Sequence, residues 1–247
     1  MSSVLTIART EARRIFVSPL AWAVLAVLQL ILGFVFINLL YNYARDSQMG
    51  GQYMGVADYM GGGLYGFATI LLLLVMPLLT MRLFAEERKS GTVTLLFSAP
   101  VSLIEIVLGK FLGLMSFMLA ALLLLALMPM SLMPGTHLDL GRIAAGLLGV
   151  LLLMMAFGAA GLFVSTLTRE PTIAAVVTFG LLLLLWLLQI LSSQEIPFAS
   201  LFGYLSLISH FESLQRGVFN SADVIYYLLF TGLFLWLAVQ RLDLERT

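Results

Sequence analysis

Six long apolar runs dominate this chain and leave little choice of fold. They cover residues 20–41, 64–81, 106–128, 143–167, 173–191 and 223–239. A helix needs about 20 mostly apolar residues to cross roughly 30 Å of hydrocarbon. In lipid the backbone must satisfy its own hydrogen bonds, so such runs are helical. Composition agrees: 61% of the 247 residues are hydrophobic and only 11% are charged. Soluble domains carry roughly 25% charged residues. We therefore expect an all-α integral membrane protein in which residues 1–247 form one domain with six transmembrane helices. The first run exceeds the roughly 7–15 residue core of a signal peptide and ends without a small-residue cleavage pattern, so it reads as a retained span. The last run is the shortest, and Tyr226, Tyr227 and Trp236 are candidate interface anchors for it.

Six spans put both termini on one side. That side collects Arg9, Arg13, Arg14, Arg82, Arg88, Lys89, Lys110, Arg169, Arg241 and Arg246, against Arg45, Arg142 and Arg216 on the other. The positive-inside rule then places the termini and the connection between spans two and three in the cytosol. The formal net charge is zero, which gives no bulk electrostatic reason for a nucleic-acid partner. There are no cysteines, so disulfides, thiolate metal sites and a cysteine nucleophile are excluded.

Three polar stretches carry information. In residues 1–19, Val4, Leu5, Ile7, Ala8, Ala12, Ile15 and Phe16 share one helical face, and Thr6, Arg9, Thr10 and Arg13 the other. Pro19 then interrupts. This predicts an amphipathic interfacial helix with basic residues toward headgroups; a plain positively charged flank is the alternative. Glu11 projects toward the apolar face, which is costly without a partner. Arg14, three residues on, is the nearest candidate, and Arg82 a tertiary one.

The cytoplasmic loop 82–105 includes most of the segment EERKSGTVTLLFSAPVSLIEIVLGK, which runs from Glu86 to Lys110. Glu86, Glu87, Arg88 and Lys89 extend the second span as charged helix. Gly91 breaks or bends it. Residues 92–98 (TVTLLFS) form a short amphipathic helix that Pro100 stops. Ser102 and Glu105 make a capping box that opens the third span. Lys110 lies near that start and can snorkel to water. A short helix clamped between two spans can press Leu95, Leu96 and Phe97 into a soluble partner; an ordinary hairpin with a solvated charge cluster is the other reading. In the loop 192–222, Phe198, Leu201, Leu205, Ile208, Phe211 and Leu214 recur at near-helical spacing, broken by Pro197 and Gly203. One or two short helices dipping into the outer leaflet fit it, as does a surface amphipathic helix.

Other chemistry is missing from the sequence. Gly109-Lys110 lacks the upstream glycine of a phosphate-binding loop. His137 and His210 lie in different outer loops, so they form no His-x-x-x-His zinc site, and a loop histidine is ordinarily solvated. The spans carry almost no ionisable groups, which speaks against an ion-coupled carrier. Gly62-x-x-x-Gly66, Gly109-x-x-x-Gly113 and Gly158-Ala159-Ala160-Gly161 permit close helix approach.

The segment Glu86 to Lys110 resembles the first cytoplasmic loop of ABC-2 type transporter permeases, in its acidic-basic stretch, Gly-Thr, leucine pair, Pro and Gly-Lys. His210-Phe211-Glu212, Arg216-Gly217-Val218, Asp223-Val224 and Tyr226 resemble the entry to the last span in the gliding-motility (GldF-like) branch. Glu11 and Ser18-Pro19 also fit, and the likeness spans the chain. The resemblance implies a non-catalytic permease subunit, in a bacterial cytoplasmic membrane, of an ABC exporter or a mechanotransducing ABC complex that couples ATP hydrolysis by a separate subunit to substrate movement or conformational work. It would pair with a second, identical or homologous, permease chain. It would dock a separate ABC ATPase that holds ATP and Mg, with no cofactor in this chain. Glu86, Glu87, Arg88, Gly91, Thr92, Leu95, Leu96 and Phe97 would belong to the ATPase-coupling region. Glu11 and Arg14 would belong to the interfacial helix, and the stretch before the last span would form short re-entrant outer helices. Members of this branch often work with a further membrane protein bearing an extracytoplasmic domain. A membrane scaffold that anchors an ATPase without transport is the alternative function.

Overall fold

The computed structural model describes residues 3–48, 55–93, 100–133, 138–192 and 199–246, and among these it contains helices and turns but no strand. The helices are α1 (Ser3–Val17), α2 (Pro19–Gln48), α3 (Val56–Tyr59), a π-helical turn (Met60–Tyr65), α4 (Gly66–Thr80), α5 (Ala85–Lys89), α6 (Leu103–Met130), α7 (Leu140–Ser165), α8 (Pro171–Ser192), α9 (Ala199–Leu205), α10 (Leu207–Gln215) and α11 (Ser221–Arg246). Among the described residues six helical stretches are long and apolar enough to span a membrane; each matches one of the six apolar runs, the fourth ending at Ser165, two residues short of the expected 167. The second reaches back beyond the expected start at residue 64, through the π-helical turn.

Local chemistry sets the boundaries. Pro19 sits at the first position of α2, where its fixed φ suits a helix and its missing N–H costs nothing. The capping box on α6 forms: the Glu105 N–H donates to Ser102 Oγ at 3.2 Å, and the Ser102 N–H donates to Glu105 Oε2 at 2.9 Å. Asp139 caps α7 by accepting from the Arg142 N–H, and Ser206 caps α10 through the Ser209 N–H. Both α5 and α10 end in a Schellman motif. Gly91 (φ 74°) and Gly217 (φ 83°) take the left-handed conformation. Thr92 N–H then bonds Glu87 O, and Val218 N–H bonds Ser213 O.

The helices divide into a core and a rim. In α7, 72% of the most apolar window is buried, while α2, α8 and α11 reach only 22%, 17% and 22%. Small residues make α7 the axis: Ala156, Gly158, Ala159, Ala160 and Gly161 are all buried against neighbouring helices. Helix α1 packs lengthwise on α6. A Cβ on Gly109 would come within 2.7 Å of Ile7, and one on Gly113 within 2.7 Å of the Glu11 Cβ. The Gly109/Gly113 pair therefore lets α1 lie against α6 of the same chain. Six of the seven residues assigned to the apolar face of α1 are partly buried, but Leu5 is 56% exposed.

The entry to α5 departs from expectation. The second span does not continue as one charged helix. It stops at Thr80, and residues 81–84 form a turn in which Leu83 and Phe84 are fully buried. Burying those two side chains turns the backbone inward, so α5 starts afresh as a separate short helix. The proposed helix over residues 92–98, with Leu95, Leu96 and Phe97, lies largely outside the described residues. The stretch before the last span holds two short helices, α9 and α10. The face Leu207, Ile208, Phe211 and Leu214 of α10 is buried, with α10 packed on α7.

Candidate functional site: an ionic joint on α5

Helix α5 has only five residues, and one of them, Ala85, is buried. Apolar packing does little to hold it. Its four charged residues do the holding, and each points to a different part of the chain. Glu86 Oε2 accepts from Arg14 Nη2 of α1 at 2.5 Å. Glu87 Oε1 accepts from Lys110 Nζ of α6 at 2.6 Å. Arg88 Nη2 donates to Glu245 Oε2 of α11 at 2.6 Å. Lys89 Nζ donates to Glu170 Oε2, just before α8, at 2.8 Å. The succession Glu-Glu-Arg-Lys thus ties α5 to both ends of the chain and to two further spans. Since α1 and the end of α11 meet at α5, both ends of the chain lie at the same end of the bundle.

Beneath this joint lies a buried charge cluster. Lys110 is 2% exposed and Glu11 is 7% exposed. Lys110 Nζ sits 3.2 Å from Glu11 Oε2 as well as 2.6 Å from Glu87. It also lies 5.0 Å from the centre of the Phe84 ring, within cation–π range. Arg14 adds longer contacts to Glu11 and Glu87, at 3.6 and 3.7 Å. A buried ammonium facing two carboxylates is stable only as a set, because removing one partner leaves an uncompensated charge out of water. The cluster therefore fastens α1, α5 and α6 into one unit.

This corrects the reading of Lys110, which does not snorkel to water. It also completes the account of Glu11: Arg14 is near, as expected, but the closer partner is Lys110, and Arg82 forms no ion pair with it. The signal was present in the sequence. Glu11 and Lys110 are opposite charges stranded on apolar faces, and Lys110 follows the glycine against which α1 packs. The spans are thus not bare of buried charge, since Asp223 is also only 6% exposed. Glu170 and Glu245, partners of Lys89 and Arg88, were not among the site residues expected from sequence.

Of the expected coupling residues, Glu86, Glu87, Arg88, Gly91 and Thr92 gather here. Thr92 Oγ1 donates to Glu87 O and lies 2.9 Å from Ser90 Oγ, which closes the end of α5. Leu95, Leu96 and Phe97 are outside the described residues.

The other end of the bundle carries a separate polar group. His210 is not a solvated loop residue. It lies in α10, partly buried, with Nδ1 2.7 Å from Asp223 Oδ1 and Nε2 3.0 Å from the Tyr204 carbonyl. Its ring stacks on Tyr226 at 4.0 Å. Ser213 donates to Asp223, and Gln189 donates to Glu212. Gln215 Nε2 donates to the carbonyls of Gly61 and Gly62, capping groups that the π-helical turn exposes. Tyr59, Arg142, Glu212 and Arg216 line a cavity of about 590 Å³ beside it. Among the described residues no group of three or more His, Asp or Glu side chains is arranged to hold a metal ion.

Comparison with curated proteins returns no match. A family model does match. The model for ABC-2 family transporter protein covers residues 5–239, from α1 into α11. With six apolar helices of spanning length, the chain is a multi-pass membrane protein, and it belongs to the ABC-2 transporter family.

Proposed function

We propose that this chain is the membrane-spanning permease subunit of an ATP-driven complex, with α5 as the joint through which a separate ATPase moves it. The carrying observation is that four consecutive side chains of α5 are ion-paired to α1, α6, α11 and the start of α8. A load on the adjoining loop, including Leu95, Leu96 and Phe97, would reach all four elements through short polar contacts. The α1–α5–α6 unit would move as a block, carrying α11 through the more buried Arg88–Glu245 pair, while the exposed Lys89–Glu170 pair exchanges. In this reading α5 and both termini face the cytosol of a bacterial cell, α1 lies in the interface, and α9 and α10 are re-entrant on the outer side. Two permease chains would pair around the path. The likeness of residues 210–226 to the gliding-motility branch favours a mechanically working complex, with a further membrane subunit, over a dedicated small-molecule exporter.

The test is affinity purification of the full chain from its own cells, followed by ATP turnover in lipid nanodiscs. We expect an ATPase with a phosphate-binding loop to co-elute. Gly91→Pro, which cannot adopt φ 74°, and Glu86→Lys should leave assembly intact and cut chain-stimulated turnover several-fold. Absence of an ATPase from the complex overturns the reading. Co-elution with turnover indifferent to both changes leaves only the anchoring role.

A further inference from the structure

The rim helix α2 meets α4 along a narrow seam. Beside that seam runs a groove of about 390 Å³, lined entirely by apolar side chains. Leu28 and Leu71 form its buried floor, while Val27, Ile31 and Leu74 are exposed along its walls. Along α2 the groove runs from Leu20 to Ile31. At about 1.5 Å per residue this is roughly 16 Å, close to half of the roughly 30 Å hydrocarbon thickness. It has the length of one acyl chain in one leaflet.

The groove does not end blindly. Leu20 and Leu78 also line a second cavity of about 160 Å³ at the α5 end, apolar on one side and polar on the other. Its polar wall carries Glu11, Arg14, Ser18, Arg82 and Glu86. Arg82 is exposed and has no ion-pair partner among the described residues. Glu86 pairs with Arg14 through Oε2, and its side chain remains 47% exposed. The mouth therefore offers an unengaged guanidinium beside a reachable carboxylate, with two charges of each sign around it. An anionic headgroup would meet Arg82 but also face Glu86. A headgroup carrying both a phosphate and a small ammonium satisfies both.

We propose that this continuous groove and pocket bind one zwitterionic phospholipid of the phosphatidylethanolamine class. Its phosphate lies on Arg82, its ammonium on Glu86, and one acyl chain lies between α2 and α4. The bound lipid wedges α1, α2 and α4 together at the turn that leads into α5. The site stands on its own geometry and needs neither ATP nor an ATPase, so its failure leaves the coupling reading untouched.

The test is native mass spectrometry of the delipidated full chain, titrated separately with dioleoyl phosphatidylethanolamine and dioleoyl phosphatidylglycerol. We expect one phosphatidylethanolamine retained in preference to phosphatidylglycerol. Arg82→Gln should weaken retention several-fold. Glu86→Gln should abolish the preference between the two lipids. Leu74→Trp, on an exposed wall, should fill the groove and remove the bound lipid without touching the core; circular dichroism would verify that helix content is kept. Equal retention by wild type, Arg82→Gln and Leu74→Trp would show only annular lipid and overturn the proposal. So would stronger binding of phosphatidylglycerol. A Leu74→Trp change that shifts the chain's oligomeric mass while leaving lipid retention intact would assign the groove to a second copy, and would overturn it equally.

Discussion

The two ends of this bundle solve the same problem with different physics. Each carries a short helix closed by a left-handed glycine: α5 by Gly91 and α10 by Gly217. Helix α10 is held by an apolar face, with Leu207 and Phe211 at 1% exposure and Leu214 at 0%. Helix α5 is held by charge, through ion pairs to α1, α6, α11 and the start of α8. Packed apolar surface fixes one arrangement, because interiors are dense and each lost contact costs. Ion pairs are discrete and exchangeable, and those near water are individually weak. The difference makes α10 the more rigidly packed of the two and, in the function proposed, α5 the part that shifts.

The largest expected effect tests the fixed end. Phe211→Ala should cost about 3–5 kcal/mol through lost burial and the cavity left behind, read by denaturant unfolding in mixed micelles. Added salt should leave that loss unchanged. At the charged end Lys110→Met should cost about 3 kcal/mol, because it leaves the mostly buried Glu11 and Glu87 side by side with only their longer contacts to Arg14. The double change Glu11→Leu with Lys110→Met should recover a large part of that loss. A double variant no more stable than the single one would show that Lys110 serves packing rather than charge balance. Between these and the surface lies Gly91→Ala, expected to cost about 1–2 kcal/mol for a side chain in left-handed backbone. The smallest effect belongs to Lys89→Ala. Its pair with Glu170 has side chains 58% and 50% exposed and should be worth about 0–1 kcal/mol, falling with salt. A large, salt-insensitive loss at Lys89 would erase the contrast between exchangeable and fixed contacts.

Much of this layout is legible in the sequence, because periodicity and capping are local. Six apolar runs, Ser102 with Glu105, and Gly91 each act within a turn or two of themselves. The inward turn at Leu83 and Phe84 was not legible. It depends on which cavity those side chains fill, and that cavity is made by other helices. The Lys110–Glu11 pairing lies between these cases. Each residue looks anomalous on its own helix, but 99 residues separate them, and only the packing of α1 on Gly109 and Gly113 brings them together. Glu170 and Glu245 had no signal at all, since an acidic residue at a helix end is ordinarily solvated. The π-helical turn was hidden for another reason: its carbonyls are satisfied by Gln215, a residue unremarkable until α10 is placed.

In the proposed function, α5 passes force to the spans through its side-chain pairs. Arg88 offers the cleanest measurement. Its loss leaves Glu245 still paired with Arg241, at 3.1 Å, so the fold should tolerate Arg88→Gln. ATP turnover of the purified complex in lipid nanodiscs should then fall several-fold, with the ATPase still bound and the unfolding midpoint close to wild type. Turnover equal to wild type in a correctly assembled Arg88→Gln complex would show that α5 does not drive the spans through this pair.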